Sequence, residues 1–257
     1  MPLHPVAYDA LTIDDDASFA HIGLYARLKR LLRRSGQRFL IPDAGATASW
    51  DRALFLNLTY WGGGESADVL CDEHIPADVV AHVAFHRAVG VQLAKVGAPS
   101  AEGVLFSESI ASAFDLYLLG RLLHNAPECD FILSQVPIMS EAAEDAGLSS
   151  AALAELLQSV AEEPERAFED MRALLFDAAT ALYACRGAAE AQVVLEGFGG
   201  HRFEPLLHHY QLSNWILYAR AYTTSEASAG DSVRRLDTAL RGAPSAIDWI
   251  DEHWIGD

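Results

Sequence analysis

Cysteine is scarce in this sequence of 257 residues, which contains only Cys71, Cys129 and Cys185, far apart along the chain. Because no CxxC pair occurs, the spacing predicts neither a disulfide framework nor a thiolate zinc site. Long apolar runs are also missing, since none approaches the roughly 20 residues that span a bilayer. The N-terminus lacks a basic segment followed by an apolar one. We therefore expect a cytoplasmic protein without a membrane partner.

Positive charge is scarce too, because 18 Lys and Arg residues stand against 36 Asp and Glu residues, which gives a net charge of -18. Repulsion between like charges therefore disfavours nucleic acids and anionic membrane surfaces as partners. Six of the basic residues lie between Arg27 and Arg38. The first interpretation of this basic cluster is a solvated helix face. The second is a contact with a phosphate or with an acidic partner, such as another copy of the chain in a homo-oligomer.

Runs of alternating β-branched residues are absent, whereas apolar residues recur at helical spacing and make up much of the 51% hydrophobic content. This content is large enough for a substantial core. We predict an all-α fold, a single-domain bundle of about nine or ten helices over residues 1–257, with any seam near residues 140–150. The predicted helices cover residues 17–36, 50–61 (with Ser49 as N-cap and Gly62-Gly-Gly at its end), 76–95, 107–124 (with Ser107 as N-cap), 138–145, 150–161, 165–185, 204–223, 232–240 and 245–254.

Two histidines, His82 and His86, lie four residues apart in the predicted helix 76–95, which is otherwise apolar on nearly every side. Residues at this spacing share one face of a helix. Both imidazoles need partners there, because an unsatisfied buried polar group costs on the order of 1–3 kcal/mol. One metal ion would satisfy the two rings together.

The next predicted helix carries an acid, Glu108, on the same face as Ser112 and Asp115. A carboxylate on an otherwise apolar helix is rarely buried without a cation, a hydrogen-bond donor or a shifted pKa. Two neutral imidazoles and this carboxylate form a three-ligand set that suits zinc or mononuclear iron(II) and leaves coordination positions open. We expect Asp78 and Asp115 to accept hydrogen bonds from the ring N–H groups of the ligands.

The segment Asp78-Val-Val-Ala-His82-Val-Ala-Phe-His86 resembles the zinc helix of the thermolysin-like metallopeptidases, the gluzincins. The segment Ser107-Glu108-Ser-Ile-Ala-Ser resembles the helix that carries their third ligand. The resemblance covers about 40 residues. It implies that His82, His86 and Glu108 bind the metal.

The chain departs from that family at Val83, which replaces the glutamate of the HExxH motif. The base that activates the metal-bound water is therefore missing. The family's outer-shell acid, one turn after the third ligand, is replaced by Ser112, so that role would pass to Asp115 only with an altered geometry. We therefore expect a metalloenzyme with chemistry other than peptide hydrolysis, acting on a small-molecule or peptide-like substrate.

Three further residues, His208, His209 and Tyr210, lie in the predicted helix 204–223. One of the two histidines could add a ligand or donate a proton to the substrate. Only one can serve, because adjacent helical residues point about 100° apart. A hydrogen-bonded packing role is the alternative.

A ferritin-like di-iron site is not predicted, because no pair of Glu-x-x-His motifs occurs. The alternative from a different class is a non-catalytic helical binding or scaffold protein, or a degenerate and inactive relative of the metallopeptidases. Metal content separates these interpretations, since a scaffold needs no ion.

Overall fold

The computed structural model describes residues 3–43, 68–96, 100–222 and 230–256. Contacts within the chain define two compact units, Met1–Ala84 and Phe85–Asp257. The boundary falls inside one continuous helix. The predicted helix 50–61, with its cap Ser49 and the glycines that follow it, lies outside the described residues.

The described residues of the first unit form four short strands, which the all-α prediction does not include. Strand β1 (Leu3–Ala7) pairs antiparallel with β3 (Arg38–Pro42), and β2 (Thr12–Asp14) pairs parallel with β4 (His74–Pro76). Each strand has three to five residues, which is too short for apolar alternation to show. Their pairing therefore depends on contacts between distant segments.

The predicted first helix is interrupted. Helix α1 spans Asp16–Phe19 and α2 spans Gly23–Arg34. At the interruption Ile22 has extended backbone angles, and its side chain is buried. Phe19 is buried as well. The turn that interrupts the helix therefore places both apolar side chains in the interior.

The basic cluster lies largely on α2, and the members that pair within the chain include Lys29 and Arg33. Lys29 donates to Asp16 with an Nζ–Oδ1 distance of 2.7 Å, and Arg33 Nε donates to Asp9 at 3.0 Å. These contacts favour the interpretation of this segment as a solvated face held by local ion pairs.

Two long helices follow. Helix α3 spans Ala77–Val96, close to the predicted bounds, and α4 spans Ala101–Asn125. The prediction of Ser107 as the N-cap of α4 is wrong, because Ser100 is the cap and its Oγ accepts a hydrogen bond from the Gly103 N–H at 3.0 Å. Ser107 consequently lies inside α4, where its hydroxyl can reach a neighbouring helix.

The later helices lie mostly where the sequence predicts them. Helix α5 spans Asp130–Asp145, α6 spans Ser150–Glu162, α7 spans Pro164–Ala184, α8 spans Ala188–Glu196, α9 spans Leu212–Tyr222, α10 spans Gly230–Gly242 and α11 spans Ala246–Ile250, which a π-helical turn at Asp251–Ile255 extends. Helix α8 is not predicted. Helix α5 begins eight residues before the predicted start because it continues through Pro137.

The predicted helix 204–223 is also broken. A 3₁₀ helix spans Glu204–Tyr210, and Gln211 then adopts a left-handed conformation with φ 49° before α9 begins. An L residue rarely adopts such a φ without being held by its surroundings. The break changes the directions of His208 and His209 from those of a single α-helix.

The core of the second unit is centred on α4, which packs against α7, α6 and α9. At Gly120 an added Cβ would lie 2.6 Å from the backbone oxygen of Val160, so the helices approach closely there. Among the described residues, α4 is the one helix long and apolar enough to cross a membrane, and 78% of its most apolar window is buried inside the protein. Such burial is typical of a core helix. The all-α, multi-helix fold is confirmed.

Candidate metal centre

His82, His86 and Glu108 lie together in the structure. Each offers one ligand atom, these atoms lie within 4.8 Å of one another, and each of the three residues is partly buried. The histidines occupy successive turns of α3, so the helix itself fixes their spacing. This cluster, called here the His-His-Glu cluster, can hold a metal ion.

The distance between one pair of ligand atoms suits a single ion. Ligand atoms about 2.0–2.1 Å from a tetrahedral zinc are roughly 3.3 Å from one another. The separation of His86 Nε2 and Glu108 Oε2 is 3.6 Å, only slightly larger. Two imidazole nitrogens and one carboxylate oxygen are also a usual donor set for zinc and iron(II). The residues therefore fit a divalent metal ion.

Ser107 orients the ring of His86. Its Oγ lies 2.9 Å from His86 Nδ1. If Nδ1–H donates to this hydroxyl, Nε2 carries the lone pair, and Nε2 is the nitrogen that faces Glu108. Consecutive residues of α4 thus contact the two nitrogens of one imidazole. The sequence does not reveal this role of Ser107, because a serine before an apolar run is also typical of a helix cap.

The cluster is partly open to solvent. The side chains of His86 and Glu108 are 23% and 18% exposed, which leaves access from solvent. Val83, at the position of the HExxH glutamate, is buried. No proton acceptor is therefore supplied by that position of α3.

Asp68 is an acid near the cluster that the sequence does not single out. Burial raises the pKa of Asp68 to about 6, and the charge of His82 opposes this rise. The backbone oxygen of Asp68 accepts a hydrogen bond from the Leu40 N–H at 2.9 Å, which ties the segment to β3. The only sequence signal for the burial of Asp68 is that it precedes two apolar residues, Val69 and Leu70, in a strand-like stretch.

The predicted supporting residues have varied surroundings. Asp78 lies in the first turn of α3. Burial and Asp16 raise the pKa of Tyr25, and the negative charge of Asp78 raises it further. Ser112 is buried inside α4. The partner observed for His86 Nδ1 is Ser107. That Asp78 and Asp115 accept hydrogen bonds from the ring N–H groups stays a prediction.

The structure separates the two adjacent histidines of the 3₁₀ helix. His208 is exposed and lines a cavity beside α8. Burial lowers the pKa of His209, and the charge of Asp115 opposes this. Burial and Asp115 both raise the pKa of Tyr210. His209 and Tyr210 therefore lie near Asp115 of α4.

The Nδ1 atom of His209 is buried and has no hydrogen-bond partner among the described residues. A buried polar atom without a partner is uncommon in folded proteins. The choice between the two histidines as an additional functional group thus favours His209, whose ring also contacts that of Tyr210 with 4.9 Å between centroids.

Comparisons of the chain with protein-family models, with curated protein sequences and with solved structures found no match. The geometry of the His-His-Glu cluster is therefore the basis on which a function can be inferred.

Proposed function

We propose that this protein is a metal-dependent enzyme that binds one zinc or iron(II) ion through His82, His86 and Glu108. The observation that supports this most strongly is that the three ligand atoms lie within 4.8 Å of one another. The proposed substrate is a small or peptide-like molecule. The proposed ligand set resembles that of a gluzincin site, and the proposed chemistry is other than ordinary peptide hydrolysis, because Val83 supplies no base.

The ion would polarise a substrate oxygen or activate a bound water, and iron would also allow chemistry with dioxygen. Three protein ligands leave room for a substrate atom at the metal. Ser107 holds the imidazole of His86 in place through the 2.9 Å hydrogen bond, so that Nε2 points towards Glu108. The partial exposure of His86 and Glu108 gives the substrate a path to the site.

A proton acceptor has to come from outside α3. Asp68 is close enough for the charge of His82 to act on it, and it is a carboxylate. We assign it the role of accepting a proton from a substrate group at the cluster.

Metal content by inductively coupled plasma mass spectrometry tests the proposal on tag-free protein purified without chelator. We expect about one equivalent of zinc or iron in the wild type and almost none in the His82→Ala and Glu108→Gln variants. His124→Ala is the matched control, because His124 is exposed and lies on α4 with Glu108. Circular dichroism checks that each variant retains its helices.

A second candidate function is a non-catalytic helical binding protein. The observation in its favour is that 3.6 Å between His86 Nε2 and Glu108 Oε2 also suits an imidazolium–carboxylate ion pair without metal. In that case the wild type would contain no metal and would take up neither zinc nor iron(II) when these are added. A metal content unchanged in the ligand variants would also contradict the assigned site.

A further inference from the structure

A cavity of about 600 Å³ lies in the second unit, and its described lining includes none of the residues of the His-His-Glu cluster. It is bounded by the end of α7, by α8, by the 3₁₀ helix and by α9. Cavities that bind small molecules commonly have volumes of about 300–1,000 Å³. The space is therefore large enough for a small ligand.

The walls of this cavity are mainly apolar. They include Leu182, Ala188, Ala191, Leu195, Ile216 and Leu217. Leu217 is 64% exposed, which is a high value for a leucine. An apolar ligand body would remove such surface from water, and this is the main driving force for binding in apolar cavities.

The charged side chains among the described lining residues are both arginines, and the uncharged polar ones include Gln211 and Ser213. Arg186, Arg220 and His208 line the cavity, and of the described residues around it none is Asp or Glu. The composition of the chain, with 36 acids in 257 residues, would place roughly two acids among 15 such residues. A basic lining in a protein of charge -18 favours a negatively charged ligand group.

Arg220 is held at the edge of the cavity. Its Nη2 donates to the backbone oxygens of Tyr183 and Cys185 at 2.9 and 2.8 Å, at the end of α7. These contacts use one nitrogen, and a guanidinium has three further N–H donors on Nε and Nη1. Each of these remaining donors can give a single charge-assisted hydrogen bond to a carboxylate oxygen.

Helix α8 forms one wall and is loosely packed. None of its nine residues, all of which the structure describes, is buried. A second cavity of about 580 Å³ lies against α8 and is lined by Ala181, Ala184, Ala189 and Val193 among others. A ligand in the first cavity would add apolar contacts to α8.

We propose that the cavity between α7, α8 and α9 binds a monocarboxylate with an apolar body, of the kind represented by a medium-chain fatty acid. Its hydrocarbon part packs against the leucine and alanine walls, and its carboxylate pairs with Arg220 and Arg186. This binding site is independent of the metal function proposed above.

Isothermal titration calorimetry of the full chain with octanoate, and with 1-octanol as the uncharged analogue, tests the site. We expect one octanoate per chain and at least about tenfold weaker binding of 1-octanol, because the alcohol cannot pair with the arginines. Arg186→Gln and Arg220→Gln should each weaken octanoate binding by about tenfold or more. Arg166→Gln is the control, because it removes the same charge from an exposed position on α7.

Ala191→Trp separates this cavity from other sites, because the indole would fill the space beside α8, and octanoate binding should be lost. Arg186→Gln covers the case in which Arg220→Gln fails to fold, since Arg186 is exposed. The proposal is overturned if octanoate does not bind, if 1-octanol binds equally well, or if Ala191→Trp binds as the wild type does.

Cys185 provides a second readout, because it lines the cavity and is partly exposed. Octanoate should slow its alkylation by iodoacetamide several-fold, as measured by peptide mass spectrometry. Cys71, also partly exposed, is the internal control. Equal alkylation of Cys185 with and without octanoate would place the ligand elsewhere and overturn the proposal.

Discussion

Helices α4 and α8 are opposites in their packing. Fifteen residues of α4 are buried, on all of its sides, whereas α8 buries none. On α4 a charged side chain such as Glu108 stands among buried apolar residues, and because burying a charge is costly, its presence there is evidence for a function. On α8 no polar residue is buried among apolar ones, because none of its residues is buried. The evidence there is the space beside the helix and the charge of the side chains that line it.

The largest expected difference between the two helices is in the cost of removing a side chain. Phe114 of α4 is fully buried and lies 4.1 Å from Phe85, measured between ring centroids. We expect Phe114→Ala to lower the free energy of unfolding by about 3–5 kcal/mol, because it leaves a cavity in the core. Urea denaturation measures this, and a loss below about 1 kcal/mol would contradict the close packing of α4.

Adding atoms to α4 should also be costly. In Gly120→Ala the new Cβ would meet the Val160 backbone oxygen at 2.6 Å. We expect a loss of about 1–3 kcal/mol in the free energy of unfolding, because α4 and α6 must move apart. Gly90→Ala on α3 is the matched control, since nothing lies within 4 Å of its added Cβ. This control should be neutral or stabilising by up to about 1 kcal/mol.

Ser107 tests whether a polar residue of α4 supports the metal. Ser107→Ala removes the hydroxyl that contacts His86 Nδ1, and it should weaken zinc binding about 10- to 100-fold in a chelator competition titration. Ser109→Ala is the control, because the hydroxyl of Ser109 donates to the backbone oxygen of Phe106 within α4. Equal zinc affinity in both variants would exclude an orienting role for Ser107.

His209 gives a smaller effect that depends on pH. Burial lowers its pKa in the folded protein, against the opposing charge of Asp115. Below about pH 6.5 the unfolded chain therefore binds a proton that the folded chain still excludes. We expect the wild type to lose stability relative to His209→Gln as the pH falls from about 6.5 through the folded pKa. Parallel stability curves would show that His209 is not buried in its neutral form.

The smallest effect is expected on α8. Val193 is 67% exposed, so Val193→Thr should change the free energy of unfolding by less than about 0.5 kcal/mol. A larger loss in urea denaturation would mean that α8 is packed against something that covers Val193, and the contrast with α4 would fail.

The sequence predicts best the elements whose signals are local. Helix α6 begins at the predicted Ser150, because the Oγ of Ser149 accepts a hydrogen bond from the Ala152 N–H at 3.2 Å. Helix α7 begins at Pro164, one residue from its predicted start. The short strands have no such local signal, since the pairing of β2 with β4 joins distant segments. The left-handed Gln211 has none either, because no glycine marks it.

The same distinction holds for the candidate site. Helical periodicity predicts that His82 and His86 share a face, and the structure has both on α3. Ser107 and Asp68 act on these histidines from other segments. A periodic pattern describes one element at a time. Contacts between two elements can be identified only once the three-dimensional fold is known.

The short strand β4 leads directly into α3, the helix that carries both histidines. Its contacts with β2 join residues about 60 positions apart, whereas Ser107 and His86 are 21 positions apart. Closing a long loop costs more entropy than closing a short one, and non-local pairing slows folding. We therefore expect the hairpin of α3 and α4 to bring His86 and Ser107 together early during folding. The strand pair that anchors the start of α3 would form afterwards, as a late step.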